Sequence, residues 1–274
     1  MAVPLLDLVE KALRVAKQAL GNHAGKPESG GLPREAHIVA HCIRKEEEHT
    51  FTELVDRLGL MPAVCDRLGI HPEALPDPTT FYHSLDRYAM YVWRALLRVS
   101  AQQLRQSGHV ALDSTFFERK QASKYYLQRR NRRVTTIKAT TLTDTESLAV
   151  LDVHCCIERE HDTKAGPRVV RRNADDLRAV VADNGFQDWH TEYELSAYEL
   201  DYHVHHRGSR PMAVAHNALN RTNGYTQRWM AETSYSTTKR TQASALRSRF
   251  WYRQFREIVL MFALHNIKKT IKKL

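Results

Sequence analysis

Cysteine is scarce in this 274-residue chain. Cys42, Cys65, Cys155 and Cys156 form no C-x-x-C pair and no Cys/His array at zinc spacing, which argues against a disulfide framework or a structural zinc site and agrees with a reducing compartment. Long apolar runs are lacking too. The stretch IVLMFAL near the C-terminus is far shorter than the roughly 20 apolar residues that span a bilayer as a helix. The opening segment MAVPLLDLVEKALRVAKQAL alternates charged with apolar residues, as an amphipathic helix does and a secretory leader does not. A soluble cytoplasmic, nucleoid-associated protein with no membrane partner is expected. There is no internal repeat and no low-complexity tail beyond the basic KKTIKK terminus.

Positive charge is plentiful. The net charge is +10, a balance that favours a polyanionic partner, either nucleic acid or an anionic membrane surface. Of the 41 basic residues, 28 by count are Arg. Guanidinium forks match phosphate bidentately, so the bias leans towards nucleic acid. With 42% hydrophobic residues the chain can bury a sizeable core, as one large domain or as a small domain joined to a medium one.

The first hundred residues read as helix. After the opening helix comes the Gly/Pro/Ser linker GNHAGKPESGGLPR, then EAHIVAHCIRKEEE and two short periodic pieces around 54–58 and 64–68, joined near Gly59 and Pro62. Thr79 or Thr80 is placed to cap a further helix carrying Phe81, Leu85, Tyr88 and Val92. Helix, tight turn, helix describes a helix-turn-helix-like DNA-binding region over 1–107, and describes plain bundle packing equally well. From residue 108 the texture changes. HVALDSTFF is a short apolar strand ending in an acid, RRVTTIKATTLTD and SLAVLDVHCCI form a hairpin around DTES, and VVADNGF is a second strand ending in an acid. With the helices between and after them, residues 108–274 make an α/β domain with a mixed sheet.

The carboxyl ends of neighbouring strands are where open α/β sheets place their sites. Asp113 and Asp183 stand there, although either alone reads as a turn or cap residue. A third acid, Glu232, lies in YTQRWMAETSYSTTK. On one continuous α-helix Tyr225, Arg228, Glu232 and Lys239 share a face, and an ordinary Arg228–Glu232 i,i+4 pair would account for part of it. Three clustered carboxylates select a hard cation such as Mg²⁺, with Mn²⁺ as the substitute. Such a site requires Glu232 within metal-bridging reach of both aspartates. A further basic stretch, RKQASKYYLQRRNRR, interleaves Lys120, Lys124, Arg129, Arg130, Arg132 and Arg133 with Tyr125 and Tyr126, a pattern suited to DNA backbone or an exposed base. His203, His205 and His206 have no accompanying acid or Cys, so a metal site there is disfavoured.

Tyr, two residues, Arg, three residues, Glu, six residues, Lys resembles the C-terminal Tyr-Arg-Glu-Lys signature of prokaryotic insertion-sequence transposases of the Asp-Asp-Glu (DDE) type. VALDST and VVADNGF are similar to that family's first and second acidic motifs, and the chain also resembles haloarchaeal members. The resemblance implies a ribonuclease-H-like catalytic domain that cleaves DNA at the element's ends and joins the 3′-hydroxyl to target DNA by two-metal phosphoryl transfer. In that reading Asp113, Asp183 and Glu232 hold Mg²⁺, while Tyr225, Arg228 and Lys239 face the DNA backbone. The implied partners are the terminal inverted repeats, target DNA and a second copy of the chain in a synaptic homodimer. Phe186 departs from the family's frequent Tyr and implies one hydroxyl fewer beside the site. A nuclease of the same fold without strand transfer, and a non-enzymatic or decayed DNA-binding protein, are the alternative readings.

Overall fold

The computed structural model describes residues 3–27, 31–119, 136–157 and 160–272. Its contacts divide the chain into two units, one made of residues 1–104 together with 252–274, the other of residues 105–251.

The first unit is all-helical. Helix α1 (Leu5–Leu20) buries Leu8, Val9, Ala12, Val15 and Ala16, the three- and four-residue spacing of one helical face. Helix α2 (Arg34–Glu46) is buried from Glu35 to Lys45, which places it at the centre of the unit. Helix α3 (Phe51–Gly59) opens on a complete capping box between Thr50 and Glu53. Helix α4 (Pro62–Leu68) starts with Pro and ends on Gly69 in the left-handed region.

The next helix differs from expectation in two ways. Helix α5 (Pro78–Arg87) is capped by Asp77, whose side chain accepts from the Thr79 N–H at 2.8 Å, and not by a threonine. It also stops before Tyr88, so Val92 lies on a separate helix, α6 (Met90–Gln102). Tyr88 leaves helical geometry to bury its ring edge-on to Trp93 and to donate its hydroxyl to the Arg34 carbonyl at 3.1 Å.

Residues 252–274, read from sequence as part of the catalytic domain, cluster instead with the helical unit. The last helix, α11 (Trp251–Lys272), buries Glu257 through Ile267 without interruption. Its polar residues are matched within the same unit. Glu257 meets Lys45 at 2.9 Å, Asn266 donates to Ser100 at 3.0 Å, and Lys268 meets Glu46 at 2.6 Å. A helix so thoroughly buried belongs to the core that covers it.

The second unit is built on a sheet ordered β3-β2-β1-β4-β5, with β6 also pairing β1. Strands β1 (His109–Arg119), β2 (Thr136–Asp144) and β3 (Val150–Cys156) form an antiparallel meander. Strands β4 (Ala179–Ala182) and β5 (Asp201–Val204) add in parallel on the other side. Strand β6 (Ala245–Leu246) pairs only with Glu118 and Arg119. The expected hairpin at DTES is present and is organised by Asp144, whose Oδ1 accepts from the backbone N–H groups of Glu146 and Ser147.

Helix α7 (Asp162–Arg171) packs on the sheet face that carries Ser114 and Lys138; Asp162 bonds both. Helices α8 (Trp189–Ser196) and α9 (Pro211–Thr222) flank β5. Helix α10 (Trp229–Gln242) covers the opposite face, where Asp113, Thr115 and Thr141 point. This is a ribonuclease-H-like mixed sheet flanked by helices. Helix α9 was not anticipated from sequence. Asp113 was expected to end its strand and instead sits near the middle of β1, which runs on to Arg119.

Candidate active site

Strand β4 is short. Its last pair with β1 is Ala182 opposite Leu112, so the next residue on each strand, Asp183 and Asp113, lie side by side where β4 stops pairing. The rim expected at the end of β1 is therefore supplied by the end of β4. Each aspartate is steadied by the N–H of the following residue: Ser114 donates to Asp113 at 2.7 Å, and Asn184 donates to Asp183 at 2.8 Å.

Tyr225, Arg228 and Glu232 arrive from one connected segment, though not from one α-helix. Tyr225–Arg228 is a 3₁₀ turn launched from Gly224 at φ 86°, a left-handed conformation that favours glycine. The α-helix begins only at Trp229. The shared face drawn for a continuous helix is thus corrected: a turn presents Tyr225 and Arg228, and the first turn of α10 presents Glu232. Arg228 joins the group. Its Nη1 donates to Glu232 Oε1 at 3.0 Å and stands 3.9 Å from Asp113 Oδ2. The ordinary i,i+4 pair does form, and the same guanidinium reaches the strand acid.

Electrostatics tie the group together. Burial pushes the Asp113 carboxyl up to about 6, the Ser114 N–H and the Arg228 charge hold it down, and Glu232 and Asp183 raise it further. The Tyr225 hydroxyl is raised by burial and then by the neighbouring Asp183. Lys239 is set apart. Seven residues of helix carry it about 10 Å along α10 from Glu232, where its ammonium donates to Thr115 Oγ1 at 2.6 Å and to the Phe116 carbonyl at 2.9 Å. Burial lowers its pKa, partly offset by Glu118.

The six basic residues expected to contact DNA between Lys120 and Arg133 lie outside the described residues. Phe186 is not beside the acids. It is 2% exposed and packs under α7, with its ring against Gly166. Two of the three clustered histidines stack on aromatic rings. His205 stacks on Tyr225 with ring centroids 3.4 Å apart, and His206 stacks on His216 at 3.7 Å.

Two contributors escaped the sequence reading. Tyr235 is fully buried beneath the site and accepts a hydrogen bond from Thr141 at 2.8 Å; burial and the Asp113 charge drive its hydroxyl well above its ordinary range. Its only sequence signal was its place one turn beyond Glu232. The second is a cleft of about 410 Å³ lined by His205, Arg221, Tyr225, Thr226, Arg228 and Trp229, which gives the acids a cationic, aromatic border.

The sequence pattern of the transposase DDE domain family matches residues 105–267, more than half of the chain. The chain belongs to that family. The fold of this DDE transposase is similar to that of the piggyBac transposase in a synaptic complex with hairpin DNA, solved by cryo-EM. That match has a TM-score of 0.51 and 11% identity, and it covers 97% of this chain and 72% of that one. At so low an identity the likeness speaks for the fold. No match was found among curated proteins.

Three carboxylates and no sulfur suit a hard divalent cation in kind. A half-buried Asp113 whose charge is disfavoured by its surroundings is also a group that a cation would stabilise. Among the described residues, however, no three His, Cys, Asp or Glu side chains gather closely enough to hold an ion. Glu232 is bound to Arg228 and is not in bridging reach of both aspartates.

Proposed function

We propose that this DDE transposase cleaves DNA at the ends of an insertion sequence and joins the freed 3′-hydroxyl to target DNA, with Asp113, Asp183 and Glu232 as the catalytic carboxylates. The observation that carries this reading is the β1–β4 register, which sets Asp113 beside Asp183, with Arg228 linking Asp113 to Glu232. Asp113 and Asp183 would hold Mg²⁺, or Mn²⁺ in its place, with Glu232 completing the set only on leaving Arg228; the ion would supply activation of the attacking oxygen and stabilisation of the leaving one.

The chain's own groups bind and orient the DNA. Arg228 carries more N–H donors than Glu232 takes up, and a guanidinium fork suits a phosphodiester oxygen. The Tyr225 hydroxyl, raised and therefore protonated at neutral pH, can donate to a second phosphate oxygen. Lys239 has one ammonium N–H beyond those given to Thr115 and Phe116 and meets the backbone further along α10. The basic stretch holding Lys120, Lys124, Arg129, Arg130, Arg132 and Arg133 adds sequence-independent phosphate contacts.

The Tyr225, Arg228, Glu232 and Lys239 spacing supports assignment to the prokaryotic insertion-sequence branch, including its haloarchaeal members. Pairing of two element ends further calls for a homodimer. DNA is the partner in the piggyBac complex, and the net charge of +10 suits the same partner here.

The test is a strand-cleavage and joining assay with Mg²⁺ and paired end sequences taken from the flanks of the gene. Asp113→Ala, Asp183→Ala and Glu232→Ala should each abolish cleavage. Unchanged cleavage in all three variants overturns the assignment, and cleavage that never yields a joined product replaces the transposase reading with a nuclease.

A further inference from the structure

The sheet register carries one residue more than the two aspartates. Leu112 pairs with Ala182, and Ala182 pairs with Val204 of β5. The residues that follow, Asp113, Asp183 and His205, therefore form one row across three neighbouring strands. His205 opens the tripeptide His205-His206-Arg207 at the carboxyl end of β5.

Each member of the tripeptide grips a different element. His205 lies flat against Tyr225, with ring centroids 3.4 Å apart and planes 9° from parallel. His206 is fixed through its backbone: its N–H donates to Asn217 Oδ1 at 2.8 Å, and its carbonyl accepts from Asn217 Nδ2 at 3.0 Å. Arg207 reaches the turn after β4. Its Nε donates to the Asn184 carbonyl at 3.0 Å, and its N–H donates to Gln187 Oε1 at 3.2 Å. The Asn184 N–H in turn donates to Asp183 Oδ1 at 2.8 Å. Asn217 belongs to α9. The tripeptide is thus anchored on a helix while its two outer side chains hold Tyr225 and the Asp183 turn.

Both held segments need such support. No residue of the turn Tyr225–Arg228 is buried, and Gly224 before it has a left-handed φ of 86°, so core packing does not fix where Tyr225 and Arg228 stand. A flat aromatic partner confines a ring. Asp183 lies beyond the last pairs of β4 with β1 and β5 and leads into a 3₁₀ turn, so the ladder ends before reaching it. Misplacing a reacting group by an ångström can cost about 100-fold in rate. Groups that meet the reacting atoms are precise only when further contacts lock them.

We propose that His205 and Arg207 are positioning residues of the strand-cleaving site. His205 sets the Tyr225 ring, Arg207 sets the turn that carries Asp183, and His206 with Asn217 is their anchor. These roles rest on the carboxylate assignment above, in which Asp183 serves as a catalytic acid and Tyr225 meets phosphate.

Full-length variants, confirmed as folded by circular dichroism, are compared in single-turnover cleavage at saturating end DNA and in duplex affinity by fluorescence anisotropy. His205→Ala and Arg207→Ala should each slow cleavage about ten-fold or more, with DNA affinity unchanged. His205→Phe keeps a flat ring and should restore most of the rate. Arg207→Lys keeps a donor for the Asn184 carbonyl and should restore part of it. Hydrogen exchange read by mass spectrometry needs no activity: residues 225–228 should exchange faster in His205→Ala, and residues 183–187 faster in Arg207→Ala. Parent-like exchange in those segments overturns the proposal, and so does cleavage at the parent rate whatever the exchange. DNA affinity that falls in step with the rate makes the two residues DNA contacts and overturns it as well. Asp113→Ala keeps the two levels apart. If that variant cleaves as the parent does, the carboxylate assignment fails. If it is inactive while His205→Ala and Arg207→Ala cleave normally, only the positioning roles fail.

Discussion

Asp113 carries a carboxyl that its surroundings prefer to keep protonated. Burial lifts it from 3.8 to about 6, so the folded chain holds this proton more tightly than the unfolded chain does. The resulting stabilisation is complete below pH 4 and is lost as the pH rises through 6. In the presence of a chelator, Asp113→Asn should therefore be more stable than the parent at pH 8, by up to about 3 kcal/mol, and no more stable at pH 4. Urea denaturation at the two pH values measures this, and an advantage that does not depend on pH would contradict it. The neighbourhood of Asp113, Asp183 and Arg228 was legible because each aspartate follows a short apolar run and Arg228 stands one turn before Glu232. Thr141 and Tyr235 were not, since a buried hydroxyl beneath an acid is created by the β1–β2 register and by the packing of α10, neither of which leaves a local pattern.

At the scale of elements, α7 and the sheet approach unusually closely. A Cβ added to Gly166 would lie 2.7 Å from Cδ1 of Phe186 and 3.1 Å from Cδ2 of Leu112. Both neighbours are buried, and they stand three residues and one residue from Asp183 and Asp113 respectively. Gly166→Ala should destabilise the fold by about 1–3 kcal/mol through overpacking and should also reduce cleavage, because the shift falls on the strands that carry the acids. A denaturation midpoint together with a cleavage rate tests both, and a variant as stable as the parent would show that the helix moves away freely. Strands β2 and β3 and helices α3 and α4 were readable from alternation, turn residues and caps. The break between α5 and α6 was hidden because Tyr88 continues the apolar period and leaves the helix only for tertiary partners. The 3₁₀ turn before α10 was hidden for a related reason, since its spacing is close to that of an α-helix.

Across the whole molecule, two helices hold the first unit together from opposite ends of the sequence. Lys45 of α2 and Glu257 of α11 form a buried pair whose side chains are 4% and 1% exposed. Glu257→Gln leaves an ammonium buried without its counter-charge and should cost about 3–5 kcal/mol, while Lys45→Met/Glu257→Leu should recover most of that loss. Thermal unfolding of the single and double variants decides the matter, and equal stability of parent and Glu257→Gln would count against a tightly paired core. Removing residues 251–274 should be more severe, leaving residues 1–104 without the helix that buries Ile258 through Leu264. The truncated chain should lose its cooperative transition and bind a hydrophobic dye.

That arrangement also bears on synthesis. The chain leaves the ribosome with α1 to α6 first and α11 last, and all of residues 105–251 emerge between them. The helical unit therefore waits for the rest of the polypeptide before its core can close. A message cut short or shifted in frame anywhere before Trp251 yields a product whose first hundred residues never settle, however faithfully they were translated.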